Sequence, residues 1–246
     1  MRVLVLGGTS EARALAAQLY PRVDLISSLA GRVPDPALPV GPVRIGGFGG
    51  LDGLCAWLDE NGITAVVDVT HPFAATMTAH AARACAELGL PHLVLCRPPW
   101  EPAGAISVDS NAAAAEVVAA EGYSRIFLTT GRSGASAFAD SDAWFLIRVV
   151  TAPDSAVLPP NHQLVLSRGP YRYEEECALL IAHGIEALVT KNSGGEMTEA
   201  KLHAARQLGI PVVMIARPPL PARVRAVSSV EQAARWVAVL DRPPVV

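Results

Sequence analysis

The sequence of 246 residues lacks the features of several common classes of protein. It has no apolar run long enough to cross a membrane, and its short apolar start leads directly into glycines, so we expect neither a membrane protein nor a secretory signal. Charged residues make up only 17% of the chain, and the net charge of −3 comes without a basic block, which argues against nucleic acid as a partner. The four cysteines show no CxxC spacing, so buried free thiols in the cytoplasm are expected.

Familiar catalytic motifs are also missing. Neither GxGxxG nor GK[ST] is present, which argues against a Walker-type NTPase site. Lysine occurs only at Lys191 and Lys201, and no tyrosine precedes a lysine by four residues, as a short-chain dehydrogenase requires. The histidines show neither HxxxH nor HExxH spacing, so no metal site is expected.

What the chain does contain is the same passage twice. Residues 51–99 and 173–219 share one order of helix, strand, loop, helix and strand, and both end in Arg-Pro-Pro. The two copies differ most in the loop after the strand, which is DVTHPFA in the first and TKNSGGE in the second. Loops at strand ends carry chemistry while the scaffold provides stability, so these loops are the first place to look for function.

The repeat predicts an α/β protein made of two similar Rossmann-like halves, with mainly parallel sheets and a ligand cleft between them. Unbroken apolar runs predict five strands in each half, buried on both faces. The predicted segments are an N-terminal half over 1–99, a C-terminal half over 100–222, and a last helix in 223–246 that packs back on the first half.

The first strand runs into Gly7-Gly8-Thr9-Ser10-Glu11. Glycine lets the backbone approach a phosphate, and the start of the following helix offers free N–H groups and partial positive charge. Thr9 or Ser10 can cap that helix and also donate a hydroxyl to a phosphate. A tight turn with a cap is the alternative interpretation.

The end of the second strand predicts which cofactor would bind. An NAD site expects an acidic residue there, but the chain has Ser27-Ser28 followed by Arg32. Serine and arginine suit a ribose 2′-phosphate, so a dinucleotide site would prefer NADPH to NADH. The glycine-rich loop Gly46–Gly50 follows the third strand and allows close approach of a ligand, while its Phe48 is either a stacking face or a core residue.

Polar loops follow the other strands as well. Thr70-His71-Pro72 stands where a sheet usually binds ligands, and Asp68 before it is expected to be a structural acceptor. In the second half, Gly131-Arg132-Ser133 mirrors the first glycine turn, and Lys191-Asn192-Ser193-Gly194 replaces the histidine loop. Lys201 is expected to be solvated. Arginines follow several predicted strands and suit a ligand with many carboxylates, namely Arg32, Arg97, Arg132, Arg168 and Arg217.

The combination of VLGGTSEAR, SLAGR, GGFGG, DVTHPFA, TGRSG, TKNSGG and the two RPP strand ends resembles the precorrin-6A reductase family of corrin-ring synthesis. The resemblance covers nearly the whole chain, with THPFA and TKNSGG its most specific parts. It implies NADPH-dependent reduction of a tetrapyrrole on the way to cobalamin, with a hydride to C19 and a proton to C18. It also implies hand-over of the ring to neighbouring pathway enzymes.

Roles for individual residues follow as hypotheses. The first half would hold NADPH through the residues Gly7, Gly8, Thr9, Ser10, Glu11, Ser28, Arg32, Gly46, Gly47, Thr70, His71 and Pro72. The second half would hold the substrate carboxylates through Gly131, Arg132, Ser133, Lys191, Asn192, Ser193 and Gly194. The proton would come from Lys191, His71 or an ordered water, and the residues alone do not choose among them.

Two other classes of protein fit a pair of Rossmann-like halves. A two-domain nucleotide-sugar transferase would bind its nucleotide mainly in the second half and would not bind NADPH. A non-enzymatic NADPH-sensing module would bind the cofactor in the first half without turnover and without need of Lys191.

Overall fold

The computed structural model describes residues 1–31, 36–101, 103–152 and 158–241. Its strands are β1 (Arg2–Leu6), β2 (Asp24–Leu29), β3 (Val43–Ile45), β4 (Ala65–Asp68), β5 (His92–Leu95), β6 (Ile106–Val108), β7 (Arg125–Thr129), β8 (Trp144–Val149), β9 (His162–Leu166), β10 (Ala187–Lys191), β11 (Val212–Ile215) and β12 (Arg225–Val227). Its helices are α1 (Ser10–Leu19), α2 (Leu51–Glu60), α3 (Ala75–Leu88), α4 (Asn111–Ala120), α5 (Arg132–Ala135), α6 (Tyr173–Ala182), α7 (Ala200–Gln207) and α8 (Val230–Leu240).

These elements form two parallel sheets of six strands, which confirms the predicted α/β class. The first sheet has the order β12-β5-β4-β1-β2-β3 and the second the order β6-β11-β10-β7-β8-β9. Every strand pair is parallel. The two orders match strand for strand, so the sequence repeat is also a repeat of topology.

The chain divides into two compact units at the two Arg-Pro-Pro motifs. Unit 1 comprises Met1–Arg97 and Pro218–Val246, and unit 2 comprises Pro98–Arg217. Each Arg-Pro-Pro follows a strand that lies next to the edge of its sheet, and there the chain leaves one unit for the other. β6 and α4 therefore belong to unit 2, and β12 and α8 belong to unit 1. The sequence did not predict β6 or β12, which have three residues each and are placed by their pairing with β11 and β5.

The central strands of each sheet are buried on both faces, as is typical of parallel sheets. In β1, Val3 and Val5 belong to the apolar cluster that includes residues of α1 and α8, while Leu4 and Leu6 belong to the one that includes residues of α2 and α3. This alternation is the period of two expected along a strand. In unit 2, Phe127, Leu146 and Leu188 pack with residues of α6 and α7. The parallel arrangement places the carboxyl ends of all the strands of a sheet, and the loops that follow them, along one edge.

None of the helices in the described parts of the chain is both long and apolar enough to span a bilayer. All four cysteines are free thiols, but only Cys85 is buried, whereas Cys55, Cys96 and Cys177 are half-buried.

Candidate cofactor and substrate sites

The turn after β1 forms an open cradle at the start of α1. Gly8 has a φ of +112°, in the region that favours glycine, and no atom lies within 4 Å of where a Cβ would stand. Thr9 caps the ten-residue helix, because its hydroxyl oxygen accepts a hydrogen bond from the Ala12 N–H at 3.1 Å. The same hydroxyl donates to the Val69 carbonyl at 2.8 Å. The Thr9 hydroxyl hydrogen is therefore used to tie α1 to the loop after β4, and a phosphate here would bind backbone N–H groups instead.

Glu11, in the first turn of α1, is paired with an arginine from the end of β5. The Arg97 Nη1 atom lies 2.9 Å from the Glu11 carboxylate, and the Ser10 hydroxyl donates to the same oxygen at 3.1 Å. Burial alone would raise the pKa of Glu11, but hydrogen bonds from its backbone N–H and Ser10 and the charge of Arg97 bring the pKa below its usual value. Glu11 is thus ionised and neutralised, and Arg97 is committed at least in part to this pair.

The end of β2 meets an arginine that the sequence analysis did not select. Arg44 lies opposite Ser28 in the β2–β3 pairing. Its Nη1 atom donates to the Ser28 hydroxyl and to the Gly46 carbonyl, both at 2.9 Å, and its Nη2 atom donates to the Gly47 carbonyl at 2.9 Å. Arg44 thus joins three residues predicted to bind the cofactor. Arg32, predicted to act with Ser28, lies outside the described residues.

The Phe48 ring is half-buried and has a supporting role in this loop. It packs edge-on against Trp57 at 5.5 Å between centroids, and the Arg44 guanidinium lies 3.9 Å above its ring. Of the two interpretations left open for Phe48, the structure favours a packing residue that also fixes the plane of the guanidinium.

The loop after β4 is held by the aspartate at the strand end. Asp68 is buried and accepts a hydrogen bond from the Thr70 N–H at 2.9 Å, as expected of a structural acceptor. The His71 Nδ1 atom accepts from the Phe73 N–H at 3.3 Å. A neutral His71 therefore carries its hydrogen on Nε2, the atom that can donate to a ligand. Thr70 and Pro72 line one small pocket together with Thr9, Glu11 and Arg97.

The equivalent glycine turn of unit 2 has a different helix. In the strand pairings, Leu6 lies opposite Asp68, and Thr129 lies opposite Thr190, the residue equivalent to Asp68 in the repeat. Gly8 and Gly131 each follow two residues later, so Gly131 corresponds to Gly8. Gly131 also has a positive φ, of +78°. The helix that follows, α5, has only four residues and no side-chain cap, whereas α1 has ten residues and the Thr9 cap. A short helix sums few peptide dipoles, so this turn would stabilise a bound anion less than its counterpart in unit 1.

The loop after β10 is built around Trp100. The Asn192 side chain accepts from the Trp100 N–H at 2.8 Å and donates to the Trp100 carbonyl at 3.0 Å. The Arg217 Nε atom donates to the Asn192 carbonyl at 2.8 Å, and its Nη2 atom donates to the Pro98 carbonyl at 3.0 Å. Asn192 and Arg217 therefore shape this loop. A side chain at Gly194, whose φ is +65°, would collide with Pro98 and Arg217.

Lys191 and Ser193 are the half-buried polar side chains of the same loop, and Arg132 and Ser133 are exposed after β7. Burial lowers the pKa of Lys191 below its ordinary value. A lysine with a lowered pKa gives up its proton more readily near neutral pH, which suits a proton donor. Beside the loop, Trp100, Asn192, Met214 and Arg217 line part of a cavity of about 350 Å³.

Unit 2 also buries a group of charges that the sequence analysis missed. The Arg148 guanidinium binds the Glu176 carboxylate through two hydrogen bonds, of 3.0 and 2.7 Å, and both side chains are buried. The expectation that Lys201 is solvated was wrong. Lys201 is 4% exposed, its Nζ atom donates to the Thr198 carbonyl, and it lies 4.5 Å from the Trp100 ring centroid. Burial and the neighbouring Arg148 lower the pKa of Lys201 to about 7.

No group of three potential metal-binding side chains occurs among the residues that the structure describes. The predicted residues of unit 1 form two groups, one around Thr9 and Glu11 and one around Arg44. Those of unit 2 lie in the loops after the neighbouring strands β7 and β10. A signal for the missed Arg148 existed in the sequence, because a single charge inside the apolar run WFLIRV implies a buried partner.

Known proteins match the chain over nearly its full length. A family model described as precorrin-6x reductase CbiJ/CobK matches residues 2–238. A precorrin-6A reductase of Mycobacterium tuberculosis is 70% identical over 239 residues, which make up 97% of this chain and 98% of that protein. A precorrin-6A reductase of Rhodococcus erythropolis is 54% identical over 250 residues, covering 98% of this chain and 99% of its own. The solved structure of a CobK precorrin-6A reductase is similar with a TM-score of 0.90 at 38% identity, over 99% of this chain and 98% of that one. The chain therefore belongs to the precorrin-6x reductase family.

Proposed function

We propose that this protein reduces precorrin-6A with NADPH in cobalamin biosynthesis, delivering a hydride to C19 and a proton to C18 of the macrocycle. The observation that carries the proposal is the 70% identity, over nearly the whole of both chains, with a precorrin-6A reductase. The relatives at 70% and 54% identity are both named for precorrin-6A and not for a cobalt complex, so the cobalt-free ring is the proposed substrate.

The comparison of the two glycine turns supports a cofactor site in unit 1. The turn at Gly8 is open and precedes a ten-residue capped helix, while the turn at Gly131 precedes a helix of four residues. Backbone N–H groups at the start of α1 would hold the pyrophosphate. The Glu11 carboxylate alone would repel that phosphate, and its ion pair with Arg97 neutralises the repulsion.

The end of β2 supports NADPH over NADH. A site for NADH places a carboxylate there to bind the ribose hydroxyls, and a carboxylate would repel a 2′-phosphate. This strand instead has Ser28 as its next-to-last residue, and its acidic residue, Asp24, lies at the opposite end and pairs with Arg2 at 3.4 Å. NADPH supplies the hydride when it is bound; Thr70, His71 and Pro72 would flank its nicotinamide half, while Gly46 and Gly47, whose carbonyls accept hydrogen bonds from Arg44 beside Ser28, would lie at its ribose 2′-phosphate end.

Binding of the substrate carboxylates is assigned to unit 2. Arg132, Ser133, Lys191 and Ser193 would donate to acetate and propionate groups, with Arg132 able to bind one of them through two hydrogen bonds. Asn192 would contribute by holding the loop in place, because both ends of its amide bond Trp100. Gly131 and Gly194 would let the backbone take the shape these contacts need.

Two side chains are candidates for the proton delivered to C18. Lys191 has a pKa lowered by burial, and His71 can present an Nε2–H. A general acid must first reach the reacting carbon, so the geometry of the bound ring decides between the two side chains before their pKa values do.

The test is an anaerobic assay with precorrin-6A and NADPH carrying deuterium at C4. The expected result is loss of NADPH absorbance, a dihydro product by mass spectrometry, and deuterium at C19 by NMR. Lys191→Met and His71→Asn, each assayed for binding of NADPH, for binding of precorrin-6A and for turnover, identify the proton donor as the residue whose loss abolishes turnover while both ligands still bind. Oxidation of NADPH without a reduced ring, or binding without any turnover of precorrin-6A or its cobalt complex, would contradict the proposed function.

A further inference from the structure

Arg44 is held in one orientation at the carboxyl end of the first sheet. Its guanidinium lies on the Phe48 ring at 3.9 Å and within 5.3 Å of the Trp57 ring centroid. Three hydrogen bonds fix it further, one to the Ser28 hydroxyl and two to the Gly46 and Gly47 carbonyls. A long flexible side chain has thus lost most of its freedom before any ligand arrives, which favours tight binding.

The positive charge of this arginine is not neutralised by a carboxylate in the described ranges 1–31, 36–101, 103–152 and 158–241. Arginine has five N–H donors, and three of those of Arg44 are used. The remaining ones, on Nε and on Nη2, make no hydrogen bond to the described residues. Gly46 and Gly47 leave open space beside it, with no atom within 4 Å of a Cβ position.

A half-buried, immobilised cation with unused donors is the arrangement that binds an anion through charged hydrogen bonds. Arg44 lies opposite Ser28, at the end of β2, where a Rossmann-like sheet binds the ribose of a dinucleotide. We propose that Arg44 binds the 2′-phosphate of NADPH and is the residue that makes unit 1 select NADPH over NADH, an inference that rests on the proposed function.

Ser28 acts through Arg44 in this proposal. Ser28 is only 5% exposed, and its hydroxyl accepts the Arg44 hydrogen bond. It is a positioning residue that sets the guanidinium, while Arg44 contacts the phosphate. The neighbouring Ile45 is 55% exposed at the same strand end and offers an apolar surface to the adenine.

The test compares dissociation constants for NADPH and NADH, measured by nicotinamide fluorescence, in the wild type and in Arg44→Met. A lost charged hydrogen bond to phosphate should weaken NADPH binding by about tenfold to a hundredfold, and NADH binding should change less than about twofold. Comparing 2′,5′-ADP with 5′-AMP as competitors isolates the contribution of the 2′-phosphate. In Arg44→Met the affinity for 2′,5′-ADP, relative to that for 5′-AMP, should fall by the same factor as the affinity for NADPH. Arg83→Met is the matched control, since Arg83 is 67% exposed on α3 and removes an equal charge from the same unit.

Each outcome has one meaning. Equal loss of NADPH and NADH in Arg44→Met would overturn the proposal and show that Arg44 only orders the Gly46–Gly50 loop. Unchanged binding of both would also overturn it and place the phosphate elsewhere. A wild type that binds neither cofactor, or prefers NADH, refutes the proposed cofactor itself, and so separates that failure from the failure of this inference.

A second variant tests the role of Ser28. If Ser28 works through Arg44, Ser28→Ala should weaken NADPH binding, and the double variant should bind no worse than Arg44→Met alone. Additive losses would overturn the positioning role and show that Ser28 contacts the phosphate directly.

Discussion

Replacing the buried Lys201 by methionine should stabilise the protein, most strongly at neutral pH and below. Methionine keeps an unbranched side chain of similar length among Trp100, Thr198 and the Arg148–Glu176 pair, but removes the charge. The pKa of Lys201 falls from 10.5 to about 7, so the folded protein disfavours its ammonium form by about 5 kcal/mol relative to water. The lost hydrogen bond to Thr198 and the lost contact with Trp100 offset part of this gain.

The dependence on pH is the sharper part of the expectation. The unfolded chain keeps the lysine proton up to its ordinary pKa of 10.5, whereas the folded protein releases it near pH 7. Between these values the unfolded state binds more protons, so wild-type stability rises with pH through this residue, by at most about 1.4 kcal/mol per pH unit. Lys201→Met lacks this increase. Its advantage over the wild type should therefore shrink by about 2–3 kcal/mol between about pH 7 and about pH 9.

Urea unfolding of both proteins across this pH range measures the difference, with tryptophan fluorescence and circular dichroism required to give the same transition. Arg206→Met is the control, because Arg206 is exposed on the same helix and its removal should give a small change without pH dependence. If the stability advantage of Lys201→Met over the wild type stays constant with pH, or grows above neutral pH, the conclusion that burial suppresses the charge of Lys201 is refuted.

Three further predictions concern contacts within single units. Glu176→Gln should destabilise the protein by about 3–5 kcal/mol in urea unfolding, because it leaves the buried Arg148 charge without its partner; a loss below about 1 kcal/mol would show that water reaches this pair. Thr9→Val should cost about 1–2 kcal/mol through loss of the helix cap and of the tie to the loop after β4, and Thr9→Ser should keep most of that stability; equal losses in both would indicate a packing effect of the methyl group. Asn192→Ala should shift the fluorescence emission of Trp100 and lower turnover of precorrin-6A while leaving NADPH affinity unchanged; unchanged turnover would contradict its part in shaping the loop.

Much of the fold followed from local patterns. Apolar runs without alternation indicate strands buried on both faces, and β1, β4, β7 and β10 are such strands. The glycine turn before α1 was predicted with Thr9 or Ser10 as its cap, and the structure has Thr9, because helix starts have short-range signals that lie within a few residues of each other. The repeat of residues 51–99 in 173–219 predicted two similar sheets, because both copies carry the same local patterns of helix and strand.

Long-range partners were beyond local patterns. The edge strands β6 and β12 have three residues each, and their place is decided by the free edge that each sheet offers them. Lys201 looks like an exposed residue in the helical pattern of α7, and only the packing of that helix against Trp100 buries it. Ser28 and Arg44 are 16 residues apart in the chain, and the parallel pairing of β2 with β3 alone brings them together. The sequence by itself thus determined ten of the twelve described strands, the helices between them and their order, because those depend on neighbours along the chain. Tertiary structure decided which charges are buried and which cation contacts the Gly46–Gly50 loop, because burial and pairing depend on residues that meet only when the sheets form.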